Sequence, residues 1–192
     1  KHKNAIIMEN ASKQNLNDVL HNFSDDVNFD AEEGDDKFNN FRFTNTLKQI
    51  FIIGIAGGLK YLHEIGITHC DISASNILID ENFHPKITGF SISFAGDNLI
   101  RKTLCGTASY IAPETFLDLR YNEKTDVYSF GILMYEILTG LNAFRGYSMH
   151  QICYAITCVN KRPKFNTPIK NSLQNLIERC WAQDPNNRPT FN

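Results

Sequence analysis

His69-Cys70-Asp71-Ile72-Ser73-Ala74-Ser75-Asn76 is the stretch on which the fold of this chain turns. It follows a long helical pattern and leads into a short strand pattern. Its carboxylate at 71 and carboxamide at 76 therefore sit on the loop that joins the two. Taken alone, the spacing His-x-Asp-x-x-x-x-Asn is a weak signal, because short degenerate patterns arise by chance. The neighbouring sequence decides its weight. Upstream, Leu47, Phe51, Ile55, Leu59 and Leu62 recur at helical spacing and predict a helix over 46–65. Thr46 and Gln49 match a capping box, and Gly66 supplies the left-handed residue that ends the helix. Downstream, strands near 77–80 and 86–88 flank a turn with Asn82 and Pro85, and a loop continues to about Pro113. Residues 125–139 are apolar nearly all round, which predicts a helix buried on every side. Two amphipathic helices follow near 148–158 and 170–181, the second carrying Leu173, Leu176, Ile177 and Cys180 on one face. At the other end, Ala5-Ile6-Ile7-Met8-Glu9 fits a buried strand, and Leu16, Val19 and Leu20 fit a short helix.

Further runs accompany the loop in a fixed order. They are Lys86-Ile87-Thr88-Gly89-Phe90-Ser91, Gly106-Thr107-Ala108-Ser109-Tyr110-Ile111-Ala112-Pro113-Glu114, Asp126-Val127-Tyr128-Ser129-Phe130-Gly131, and Cys180-Trp181-Ala182-Gln183-Asp184-Pro185-Asn186-Asn187-Arg188-Pro189-Thr190-Phe191. The loop resembles the protein-kinase catalytic loop, H-R-D-L-x-x-x-N. The other runs resemble that family's D-F-G segment, the end of its activation segment, the start of its central buried helix and its C-terminal C-W-x-x-D-P-x-x-R-P-x-F run. The last is most typical of tyrosine-kinase-like serine/threonine kinases and of tyrosine kinases. The activation-segment form favours the serine/threonine side.

The resemblance implies an α+β, protein-kinase-like fold: a mostly helical C-terminal lobe with a small β-hairpin, preceded by the last N-lobe strand and the hinge. Residues 1–192 are then a partial kinase domain, with most of the N-lobe and the final helix absent. ATP and magnesium are the implied cofactors. Met8 falls at the gatekeeper position, Glu9, Asn10 and Ala11 fall on the hinge, and Leu78 joins them among the nucleotide-contacting positions. Asp71 is either the general base for an attacking hydroxyl or a carboxylate kept to cap its loop. Asn76 is either a metal and phosphate ligand or a side chain tying down the loop. His69 and Phe90 pack on each other. Asp126 holds the catalytic-loop backbone, and Glu114 pairs with Arg188 in a buried ion pair.

The sequence departs from the family pattern at four places. Gly89 stands where the family has the aspartate that grips magnesium, and glycine has no ligand atom. Removing one group that stabilises transition-state charge lowers rate by ~10²–10³. Ser73 replaces a lysine that lies beside the transferring phosphate. Cys70 replaces the arginine that pairs with a phosphorylated activation loop, so that mode of regulation is expected to be absent. Thr103 and Thr107 accordingly read as ordinary loop hydroxyls. No glycine-rich loop or strand lysine precedes Ala5.

Composition limits the remaining classes. The 192 residues are 42% hydrophobic and 21% charged, with a formal net charge of −2. That balance gives no electrostatic argument for nucleic acid or an anionic membrane. The seven acidic residues Asp25, Asp26, Asp30, Glu32, Glu33, Asp35 and Asp36 cluster without the ligand spacing of a calcium loop, so they read as a solvated loop. Five cysteines with no C-x-x-C pair fit reduced thiols in a cytoplasmic protein. Beginning at Lys1, the chain reads as a fragment. Three functions stay open: a pseudokinase that presents surfaces to a protein partner, a weak serine/threonine kinase acting on a protein substrate, or an inert truncated product. An aspartate restored at position 89 is expected to raise magnesium-dependent nucleotide affinity.

Overall fold

The computed structural model describes residues 14–21 and 44–192. The expected strand at 5–9, the positions Met8, Glu9 and Ala11, and the acidic stretch 25–36 lie outside the described residues. The first helix, α1, is Leu16–His21, with Leu16, Val19 and Leu20 buried. Just before it, Gln14 and Asn15 run against the strand β2 (Ile77–Ile79): the Ile79 amide donates to the Gln14 carbonyl at 3.3 Å.

The long helix α2 spans Asn45–Glu64 and buries Phe51, Ile52, Ile55 and Leu59. Its cap differs from the expected one. Thr44, in an extended conformation, accepts from the Leu47 amide at 3.3 Å, and Thr46 is the second residue of the helix. Gly66 follows the helix at φ 71° and donates its amide to the His63 carbonyl at 3.0 Å, as the sequence predicts. Then come β1 (Ile67–Thr68), β2, β3 (Pro85–Ile87), β4 (Phe94–Ala95) and β5 (Leu99–Ile100). β2 and β3 form the expected hairpin, pairing Ile77 with Ile87 and Leu78 with Lys86. The Asp80 carboxylate closes its turn by accepting from the Asn82 and His84 amides at 2.9 and 2.8 Å. The region expected as plain loop contributes one strand to each of two more small antiparallel pairs, β1 with β4 and β5 with β6 (Arg120–Tyr121).

Helix α3 (Pro113–Asp118) leads through β6 into α4 (Glu123–Thr139), which Asn122 caps by accepting from the Lys124 amide at 3.0 Å. Thirteen successive residues of α4, Thr125–Ile137, are buried. That burial agrees with a sequence that has no polar face. α4 packs on α2 and on α6 (Asn171–Cys180), while α5 (Met149–Thr157) carries a Ser148–Gln151 capping box. A Cβ on Gly131 of α4 would come within 2.8 Å of the Cys180 Cβ, so glycine is what lets α4 and α6 approach this closely. On α6, Ile177 and Cys180 are buried, but Leu176 is 36% exposed. Leu176 lies at the edge of the apolar stripe that the sequence assigned it to. Among the described residues, no helix is long and apolar enough to cross a membrane.

Candidate active site

The loop 69–76 is built on one carboxylate from the central helix. Asp126 is fully buried and accepts three hydrogen bonds: from the His69 amide at 2.8 Å, from the Cys70 amide at 2.8 Å, and from His63 Nε2 at 3.0 Å. The loop chain is thereby fixed to α4 before any reactive side chain is considered. His69 is also fully buried. Its Nε2 donates to the Thr88 carbonyl at 2.9 Å, while its Nδ1 accepts from the Asp71 amide at 3.3 Å. Those two bonds set the neutral tautomer with the proton on Nε2. Burial holds its pKa below the ordinary histidine value, against the opposing pull of the Asp126 charge. The Phe90 ring meets the imidazole edge-on at 4.8 Å between centroids and is 42% exposed on its other side.

Asp71 is engaged at both oxygens. Its Oδ1 accepts from the Thr107 amide at 2.9 Å and the Thr107 hydroxyl at 2.8 Å. Its Oδ2 accepts from Asn76 Nδ2 at 2.8 Å, and the same amide nitrogen donates to the Asp71 carbonyl at 2.8 Å. Asp71, Asn76 and Thr107 thus form one connected group. Thr107, read from sequence as an ordinary loop hydroxyl, is part of it. The contact spans 36 residues and leaves no periodic trace in the sequence.

The Gly89 position is joined to this group. The Thr88 amide donates to the Asn76 carbonyl at 2.9 Å, which sets the end of β3 beside the loop. Gly89 itself adopts φ 85° and ψ 34°, the left-handed region. A Cβ there would meet Asn76 Cγ and Oδ1 at 2.5 Å and Nδ2 at 2.8 Å. The Asn76 carboxamide therefore occupies the room into which an aspartate at 89 would grow. Of the family's two metal-ligand positions, Asn76 offers Oδ1 and Gly89 offers nothing, so the residues present do not fit the family's magnesium arrangement. Among the described residues, no group of three or more His, Cys, Asp or Glu is placed to hold a metal ion.

The remaining predicted positions frame the site. Leu78 is half-buried and lines a shallow apolar groove with Ile87, Thr88 and Phe90. Ser73 is buried, and its hydroxyl has no hydrogen-bond partner, so it does not project into the cleft as a lysine would. Burial, helped by the Asp126 charge, pushes the Cys70 thiol up to about 12, against the pull of the adjacent Arg101 guanidinium. Glu114 and Arg188 form a two-pronged pair at 2.6 and 2.8 Å, with the Arg188 side chain fully buried. Arg188 also donates to the Lys124 and Ala182 carbonyls at 2.9 Å. Tyr110, which the sequence did not single out, hydrogen-bonds the Glu136 carboxylate and accepts from the Ala74 amide at 3.2 Å, joining the activation-segment end to α4 and to the loop.

Comparison with known proteins agrees with this layout. The family model described as protein tyrosine and serine/threonine kinase matches residues 1–192. The RGS domain-containing serine/threonine-protein kinase A of Dictyostelium discoideum is 35% identical over 156 residues, which cover 81% of this chain and 14% of that protein. A serine/threonine/tyrosine-protein kinase of Arabidopsis thaliana is 34% identical over 140 residues, 72% of this chain and 36% of that protein. The dual specificity protein kinase shkD of Dictyostelium discoideum is 39% identical over 138 residues, 70% of this chain and 18% of that protein. The chain spans well under two thirds of each relative's length. A match from residue 1 to residue 192, joined to a loop held by Asp126 and a buried Glu114–Arg188 pair, makes this chain a member of the protein tyrosine and serine/threonine kinase family.

Proposed function

We propose that this chain is the hinge and C-terminal lobe of a catalytically impaired kinase domain, a pseudokinase of the tyrosine-kinase-like serine/threonine group. In this reading it serves in the cytoplasm as a scaffold or allosteric module for a protein partner. The observation that carries the reading is the Asn76 carboxamide lying where a side chain at 89 would begin. Phosphoryl transfer depends on positioned charge around the phosphate. Here one ligand position is glycine, and the lysine position is a buried serine. The Asp71–Thr107–Asn76 group retains hydrogen bonding that suits a substrate hydroxyl. That retention favours, as a second reading, a weak ATP-dependent serine/threonine kinase.

Transfer of labelled γ-phosphate to a generic protein substrate separates the two. The full-length protein is assayed beside an Asp71→Asn variant. The expected result is no magnesium-dependent transfer above that of the variant. Transfer that the substitution abolishes would establish the weak kinase instead. Nucleotide binding is measured separately by thermal shift with ATP, with and without magnesium, and little difference between the two conditions is expected.

A further inference from the structure

Arg101 lies between β5 and the activation-segment turn, and it touches three separate parts of the chain. Its amide donates to the Leu119 carbonyl at 3.0 Å, continuing the β5–β6 pairing. Its guanidinium donates to the Ile92 carbonyl, just past the Gly89-Phe90-Ser91 run. The guanidinium carbon stands 5.1 Å from the centre of the Tyr121 ring. The charge of the same guanidinium opposes the upward push that burial gives the Cys70 thiol. Cys70 is the position where the family carries its catalytic-loop arginine, and here a cation comes instead from the segment that follows β5.

The contacts continue toward the catalytic loop. The Tyr121 hydroxyl, at the far end of the ring under Arg101, accepts from the Cys105 amide at 2.8 Å and donates to the Cys105 carbonyl at 2.9 Å. Two residues on, Thr107 donates twice to Asp71, the neighbour of Cys70. Between them Gly106 adopts φ 106°, and a Cβ there would stand 3.1 Å from the Cys70 carbonyl oxygen. The segment is thus pressed onto the loop at glycine distance. From Arg101 through the Tyr121 ring, the Cys105 backbone and Thr107, these contacts lead to Asp71.

We propose that Arg101 is a positioning residue that holds residues 101–107 on the catalytic loop, in place of a phosphorylated residue paired with a loop arginine. The segment is then ordered by the chain itself, and its order does not depend on a modification.

Amide hydrogen exchange on the full-length protein tests this, with wild type, Arg101→Met and Arg101→Lys compared before and after phosphatase treatment. In wild type the Cys105 and Thr107 amides are expected to stay protected after phosphatase. In Arg101→Met they exchange about tenfold faster or more, while the α4 amides keep their protection. Arg101→Lys keeps the charge without the planar fork and falls between the two. Wild-type amides that lose protection on phosphatase treatment overturn the proposal, as does an Arg101→Met protein with unchanged exchange at both sites. Should Arg101→Met unfold, seen as lost protection in α4, Arg101→Lys decides. Faster exchange confined to 105 and 107 supports the role, and no change defeats it. The measurement needs no nucleotide and no turnover, so it stands apart from whether the domain transfers phosphate.

Discussion

The Asn76 carboxamide and any side chain at position 89 compete for one volume. The sequence alone suggests that Gly89→Asp restores magnesium-dependent nucleotide affinity. The structure adds an obstacle, since the new Cβ would lie 2.5 Å from Asn76 at a backbone φ of 85°. Asn76 would have to leave its two bonds to Asp71. Gly89→Asp is therefore expected to lower unfolding free energy by about 1–3 kcal/mol, from left-handed strain and lost bonds. Any gain in magnesium-dependent binding is expected to be small. Denaturant unfolding and nucleotide titration with and without magnesium check both parts, and unchanged stability would show that the pocket relaxes freely. At this scale the motifs made His69, Asp71, Asn76, Glu114, Asp126 and Arg188 legible, because each sits at a fixed offset within a recognisable run. Thr107 and Arg101 escaped. Their contacts are made across long chain separations by an irregular segment, and no spacing rule points to a partner 36 residues away.

Elements were read well where periodicity was strong. α4 shows as a run without a polar face, and α2 by its five apolar positions. The α2 cap was misplaced for a definable reason. Thr44 lacks a Glu or Gln three residues on, so the reciprocal pattern pointed to Thr46 and Gln49. The two-residue strands β1, β4, β5 and β6 could not be read at all, because two residues carry no alternation. Helix packing yields a test of its own. Gly131→Ala places a methyl 2.8 Å from the Cys180 Cβ and 3.2 Å from the Trp181 nitrogen, inside the α4–α6 contact. Overpacking of this kind costs about 1–3 kcal/mol. The expected outcome is a lower thermal midpoint with an unchanged circular-dichroism spectrum, and an unchanged midpoint would mean that the helices can part without loss.

Across the whole molecule, Arg188 ties the C-terminal run to α3 and α4 through Glu114 and the Lys124 carbonyl. Arg188→Met leaves the Glu114 carboxylate without its partner, and the expected loss is about 3–5 kcal/mol in chemical denaturation. A loss under 1 kcal/mol would mean that water reaches the carboxylate easily. Acid acts through His69. Its pKa is lowered by burial, so between that lowered value and the ordinary 6.5 the unfolded chain binds more protons than the folded one. The His69 contribution to stability is therefore intact above pH 6.5 and shrinks as the pH falls below it. Glu136 runs the other way. Burial raises its pKa, so in the window just above the ordinary 4.5 the folded chain binds the extra proton, and its contribution grows as the pH falls. An NMR titration of the His69 ring should give a midpoint below 6.5; a midpoint at or above it would contradict the assigned burial.

Glycine at position 89 has a consequence for how such a chain changes over generations. One nucleotide separates an aspartate codon from a glycine codon. At φ 85° glycine is the relaxed residue and aspartate the strained one. Once selection for transfer weakens, drift toward glycine is downhill in stability and leaves the loop standing, because Asp126 holds it from a different helix. The way back is harder, since a returning carboxylate finds Asn76 settled in its place. In the proposed reading a single step removes the carboxylate at 89, and its return requires Asn76 to move as well.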